Sequence, residues 1–343
     1  MTLVLPARPD ASDVTSLVAE RPPVAEEHWQ RIVAAITRRD FLIGAGALTV
    51  AGILAACGDG QAGSGSAAGG ETQPFEHDGY RTDLPLHPER VVVLEARAGL
   101  EFALLAGLPI VATEWSDESH LMEHLPQGVE RLGGSNIEPN AESILSHSPD
   151  MLVVGAGWWN YYQENELLAE GIAPVLVVGD DDPDWKASLR RQLAAFGREQ
   201  QATEAIDAYD ATVADVAAEI APLVADRKVV IAGADEEGFW IQEPDSFCSG
   251  IARDVGMDLV LPEAGQSNGS VSRYSFENLD VFHGADLIVL QNPDDPATTN
   301  PAWQAVPAVQ AGRVAELRYD RNFGLALTAQ VFAEDLREAA RLL

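Results

Sequence analysis

A chain of 343 residues, 46% of them hydrophobic, is large enough for one large or two ordinary domains with buried cores. Its 54 acidic and 22 basic residues give a formal net charge of −32, and Lys186 and Lys228 are the only lysines, so the surface repels polyanions and argues against nucleic acid as a partner. The two cysteines exclude a disulfide framework, and neither belongs to a C-x-x-C metal pair.

Residues 1–36 are polar and mixed. Arg38 and Arg39 then precede an uncharged run from Phe41 to Ala56 that ends in Leu54-Ala55-Ala56-Cys57. Those 16 apolar and small residues fall short of the roughly 20 that a membrane span needs. Paired arginines before a modest apolar run read as a twin-arginine export signal, so residues 1–56 are expected to be a signal peptide. Leu54 to Cys57 resembles the lipobox of bacterial lipoproteins, which implies that Cys57 is acylated and anchors the chain to the membrane. A signal anchor that is never cleaved is the alternative. Residues 57–74, rich in Gly, Ser, Ala and Gln, read as a flexible tether.

From residue 75 apolar strands alternate with helical segments. Val91 to Leu94, Pro109 to Thr113, Asp150 to Val154 and Pro174 to Val178 read as buried strands, with a helix from Ala98 to Leu105. Residues 185–224 read as one long amphipathic helix: Leu189, Leu193, Phe196, Ile206, Tyr209, Val213, Val216 and Ile220 recur at mostly helical spacing. Gly197 weakens that run. Beyond it the alternation resumes, with strands at Lys228 to Ala232, Ala285 to Leu290 and Arg313 to Leu317, and helices at Cys248 to Val255 and Phe323 to Leu343. The predicted fold is α/β: a lobe at 75–184 and a lobe at 225–343, each with a mainly parallel sheet, bridged by one long helix.

Loops at the strand ends that face the other lobe are where a ligand would be gripped. They offer Arg97, Trp115, Trp158, Trp159 and Tyr162 in the first lobe, and Trp240, Arg273, Tyr274, Asn292, Arg318 and Tyr319 in the second. The aromatics could stack on a chelate or macrocycle, or plug the lobe cores. Arg97, Arg273 and Arg318 could pair with anionic groups of a ligand, or form salt bridges within a lobe. His120 and His124 lack a third ligand, so a solvated pair is expected there and no metal site. Cys248 is expected to be a small buried hydrophobe.

His87-Pro88-Glu89-Arg90-Val91-Val92, Leu104-Leu105-Ala106-Gly107, Glu138-Pro139-Asn140-Ala141-Glu142-Ser143-Ile144, Ser275-Phe276-Glu277-Asn278-Leu279, Trp303 and Ala311-Gly312-Arg313-Val314 follow one another in a telling order. From about residue 80 onward the chain resembles the substrate-binding lipoproteins of iron-siderophore and cobalamin ABC importers. The resemblance implies a monomeric, non-enzymatic, cofactor-free protein on the outer face of the cytoplasmic membrane. It would hold a ferric siderophore in a cleft between the two lobes, through carboxylate, catecholate or similar groups, and hand it to a permease and its ATPase. Haem, cobalamin or another metal chelate is the alternative cargo. The resemblance also implies that Glu142 and Glu277, one per lobe, dock on the permease. Physics alone allows a simpler role, a glutamate favoured in a helical first turn. An exported lipoprotein enzyme is the remaining alternative, but the sequence has no G-x-S-x-G elbow, H-E-x-x-H pair or phosphate-cradling glycine loop.

Overall fold

The computed structural model describes residues 71–343 except 78, 118, 169–170, 180–183, 236, 263–265 and 268–270. Arg38, Arg39, Cys57 and all but the end of the expected tether lie outside the described residues. Chain order begins with an antiparallel hairpin, β1 (Thr72–His77) and β2 (Tyr80–Pro85), so regular structure starts inside the segment read as tether.

The first lobe is a five-stranded, wholly parallel sheet in the order β5-β4-β3-β6-β7, built from β3 (Val91–Val93), β4 (Ile110–Thr113), β5 (Glu130–Arg131), β6 (Met151–Gly155) and β7 (Val175–Val178). Helices α1 (Ala98–Leu105), α2 (Ala141–Ser146) and α3 (Ala156–Glu164) cross between strands. The strands carry unbroken apolar runs because both faces are covered. Val91 and Val93 face one core, and Val92 and Leu94 face another under Tyr162, as the two-residue strand period requires.

The second lobe has a seven-stranded sheet. Strands β8 (Lys228–Asp235), β10 (Asp258–Leu259), β13 (Leu287–Gln291) and β14 (Val314–Glu316) pair in parallel, while β9 (Gly238–Gln242), β11 (Gln266–Ser267) and β12 (Val271–Tyr274) add an antiparallel extension.

The segment 185–224 is two helices rather than the single rod expected. Helix α4 (Trp185–Ala194) stops, and α5 (Glu199–Val224) starts after a turn in which Gly197 takes φ +64°. The Leu193 carbonyl accepts from Phe196 and Arg198 N–H at 3.0 Å each, so the break is a hydrogen-bonded helix end. At 1.5 Å per residue, α5 alone is about 39 Å long. Helices α6 (Phe247–Asp254), α7 (Pro301–Gln304), α8 (Pro307–Gln310) and α9 (Ala326–Ala340) complete the second lobe.

A single core runs through both lobes. It joins Val91, Val93, Met151 and Val153 of the first sheet to Ile206, Tyr209, Val216 and Ile220 of α5 and to Val229, Ile231, Leu287 and Val289 of the second sheet. Phe332 and Leu336 of α9 belong to it, and Arg337 and Arg341 tie α9 to Asp215 and Glu219 of α5 at 2.6 and 3.2 Å. Cys248 is fully buried, as expected.

Candidate ligand cleft

The carboxyl ends of the parallel strands meet at the boundary between the lobes. In the first lobe the chain leaves β3 at Leu94 and presents Glu95, which is buried. Its carboxylate accepts the N–H of Arg97 at 2.6 Å, of Gly99, and of Gly155 at 3.2 Å. It thereby ties the start of α1 to the end of β6, the point where the sheet order reverses. Glu114, after β4, accepts from the Ala96 N–H at 3.1 Å. Burial pushes its carboxyl above the ordinary range, against the pull of that N–H and of Arg131.

In the second lobe the loop after β13 and the segment after β14 enclose a cavity of about 560 Å³. It is lined by Asn292, Pro293, Asp294, Asp295, Glu316, Leu317, Arg318 and Asp320. Asn292 holds φ +58° and donates to the Ala234 carbonyl at 3.1 Å, which fixes the turn beside the end of β8.

Below this cavity the lobes are joined by buried polar groups. Glu101 of α1 is fully buried and caps the N-terminus of α9 in the other lobe, accepting from the N–H of Leu325 (2.9 Å) and Leu327 (2.5 Å) and from the Thr328 hydroxyl (2.6 Å). Burial pushes its carboxyl up, while Thr328, those N–H groups and His120 pull it back. Asp320 accepts from the His120 backbone N–H at 3.1 Å, lies 3.0 Å from the His120 ring Nδ1 and pairs with Arg321. Burial alone would raise the Asp320 carboxyl, but its His120 and Arg321 partners outweigh burial and hold it well below the usual range. Arg321 also donates to Asp335 at 2.8 Å. Arg97 reaches across to donate to the Asn322 side-chain amide oxygen Oδ1 at 2.7 Å and lies 5.1 Å above the Phe323 ring.

The expected ligand residues divide. Asn292 and Arg318 line the cavity. Trp240 lies flat on Gly233, where a Cβ would sit 1.9 Å from its ring, and Arg273 is its cross-strand partner on the same face. That arginine pairs with Asp235 at 2.7 Å and Glu237 at 3.4 Å. Trp115, half-buried, donates its indole N–H to Asp117 at 2.8 Å. Trp158 and Trp159 are half-buried against the outer core of the first lobe. One expectation needs correcting: Tyr162 is wholly buried in that core and donates its hydroxyl to the Asn136 carbonyl at 2.7 Å. Trp240 is also buried, and Tyr274 is half-buried against the outer core of the second lobe opposite Phe239. The backbone of Tyr319 lies in a short turn between Arg318 and Asp320.

His120 is nearly buried in the lobe contact and is not the solvated partner of His124 expected from the sequence. Among the described residues no group of three or more His, Cys, Asp or Glu side chains could hold a metal ion. Reading the sequence missed Glu101, Asp320, Arg321 and the acidic cavity wall. One signal was available: Glu101 is the only charge in the apolar helix Ala-Gly-Leu-Glu-Phe-Ala-Leu-Leu, and a charge there must find buried partners.

Two α/β lobes on a shared helical spine, with a cavity at the strand ends of the second lobe, have the architecture of a two-lobed solute-binding protein. The chain belongs to the periplasmic binding protein family, whose model matches residues 91–320. Its relatives there are substrate-binding proteins, and so is this chain; the enzyme alternative falls away. It is 24% identical to the iron(3+)-hydroxamate-binding protein FhuD of Bacillus subtilis, over 79% of this chain and 88% of the relative. It is 23% identical to the Fe(3+)-citrate-binding protein YfmC of the same organism, over 75% and 82%. The Fe3+–Desferal-bound siderophore-binding protein FhuD of Vibrio cholerae shares the fold with a TM-score of 0.58 at 22% identity, covering 74% of this chain and 97% of that one. The catecholate-siderophore-binding protein VctP of Vibrio cholerae shares it with a TM-score of 0.56 at 20% identity, covering 79% and 99%. Among the described residues no helix is long and apolar enough to cross a membrane.

Proposed function

We propose that this protein captures a ferric siderophore in the cleft between its lobes and delivers it to the permease of an ABC importer. The observation that carries the reading is a cavity of about 560 Å³ at the strand ends of a chain whose relatives bind ferric hydroxamate and ferric citrate. Cavities of that size suit small organic ligands. Asn292 and Arg318 are the first candidates for ligand contact; further candidates are Arg97, Trp115, Trp158 and Trp159, which follow strands β3, β4 and β6 of the first lobe, and Trp240, Arg273 and Tyr319 of the second. Tryptophans so close to the strand ends make fluorescence a direct probe. A quenching screen of the purified protein against ferric siderophores, haem and cobalamin is expected to give saturable quenching by a ferric siderophore, whereas saturation by haem or cobalamin alone would reassign the cargo.

Docking on the permease falls to Glu142 and Glu277, one per lobe. Both are exposed; Glu142 sits in the first turn of α2, capped by the Asn140 side chain on the Ser143 N–H at 2.9 Å. Glu277 stands in the turn before the 3-10 helix Leu279–Gly284, not in a helix of its own as the sequence suggested. Exposed charges at a docking surface set register and association rate. The double variant Glu142→Ala, Glu277→Ala is expected to keep ligand affinity and lose uptake, and undiminished transport would sink the assignment. Export through Arg38 and Arg39, lipid attachment at Cys57 and action as a monomer complete the proposal. They fit a carrier that must stay near its permease while remaining free to turn.

A further inference from the structure

We propose that the cleft selects a neutral or positively charged ferric chelate, such as a trihydroxamate with a free pendant amine, and disfavours polyanionic tricatecholates and polycarboxylates. This rests on the ferric-siderophore reading of the cleft and concerns only which charge class that cleft accepts.

Asp294, Asp295, Glu316 and Asp320 line the cavity, with Arg318 the one cation among its lining residues. Asp320 is offset by His120 and Arg321, and Arg318 leans toward it at 3.4 Å. Asp295 accepts the Ala297 N–H at 2.8 Å. Asp294 and Glu316 are exposed and, among the described residues, join no ion pair. The wall therefore carries unbalanced negative charge on the side a bound molecule would face.

Arg97 and Arg273 are not among the residues lining the cavity: Arg97 donates to the neutral Asn322 amide and lies over the Phe323 ring, and Arg273 is paired with Asp235 and Glu237. A trianionic chelate would approach a protein of net charge −32 and then lie against a wall on which Asp294, Asp295, Glu316 and Asp320 outnumber the single guanidinium of Arg318. Salt screens the distant charges beyond about 10 Å at 0.1 M, but not the wall itself. An ammonium arm on the chelate would instead meet Asp294 and Glu316 at the open side, where it keeps part of its hydration.

The test is a titration of the full-length protein at low salt with three ferric complexes: desferrioxamine B, its N-acetylated form, which differs only in losing the amine charge, and enterobactin, a tricatecholate. The cationic complex is expected to bind about threefold to tenfold tighter than the acetylated one, a ratio typical of a solvent-exposed ion pair, with the tricatecholate weakest. The ratio should shrink as salt rises. In the double variant Asp294→Asn, Glu316→Gln, whose changes fall on exposed side chains, it should drop toward one. Equal or tighter binding of ferric enterobactin overturns the inference and leaves the siderophore reading standing. An unchanged ratio in the double variant does the same. Binding of none of the three overturns both.

Discussion

Glu101 shows how a single side chain can hold two lobes together. It comes from an apolar helix in one lobe, yet its carboxylate caps the first turn of α9 in the other. Truncation orphans several donors at a buried helix end. Glu101→Ala is therefore expected to cost about 3 kcal/mol in urea unfolding, and Glu101→Gln clearly less because an amide oxygen can still accept. Asp320 gives a pH test. Its folded carboxyl titrates below its unfolded one, so its contribution is fully present above about pH 4 and disappears as pH falls toward the folded value. Glu101 is shifted the other way, so burial of its ionised form weighs against the fold at neutral pH and relaxes on acidification. The clean readout is thus the stability gap between wild type and Asp320→Asn. That gap is expected to be large at about pH 7 and small at about pH 2, and a gap independent of pH would contradict the pairing. At this scale the sequence was least legible. Arg97, Arg273 and Arg318 were recognisable as strand-end arginines, but their partners Asn322, Asp235 and Asp320 come from distant chain segments that only folding brings close. Tyr162 and Trp158 looked alike in one aromatic run, and helical geometry alone sent the first into the core and left the second half-buried.

The elements were far easier to read. Buried parallel strands carry continuous apolar runs, so β3, β4, β6, β7, β8 and β13 stand out. Strands β9 and β12 escaped notice because their apolar runs are interrupted by polar residues and glycine, Gly238 and Gln242 in β9 and Ser272 and Arg273 in β12. The spine was legible in extent but not in continuity. Its break is set by Gly197, whose φ of +64° a residue with a Cβ adopts at a penalty. Gly197→Ala is expected to destabilise by about 1 kcal/mol without changing ligand affinity, and a stabilising effect would mean that the helix prefers to run straight through. At β8, Gly233 leaves room for the Trp240 ring. Gly233→Ala must push that indole aside, which should shift the tryptophan emission and weaken binding if Trp240 touches the ligand.

For the whole molecule, the continuous core and the polar clamp under the cleft argue against a wide hinge. The lobes share Ile206, Tyr209, Val216 and Ile220 of α5, and rotation would tear open the contacts of Glu101, His120, Asp320 and Arg97. Binding is expected to change the radius of gyration in small-angle scattering by less than about 1 Å; a large domain closure would contradict the shared core. The most direct measurement of the central claim is a tryptophan-fluorescence titration of the purified protein with ferric desferrioxamine B, run beside the iron-free chelator. A carrier for ferric chelates should give saturable one-to-one quenching with the ferric complex and far weaker binding of the free chelator. If ferric desferrioxamine B and the other ferric siderophores all fail to saturate the protein, while haem or cobalamin does, then the assignment of a ferric siderophore as cargo is wrong.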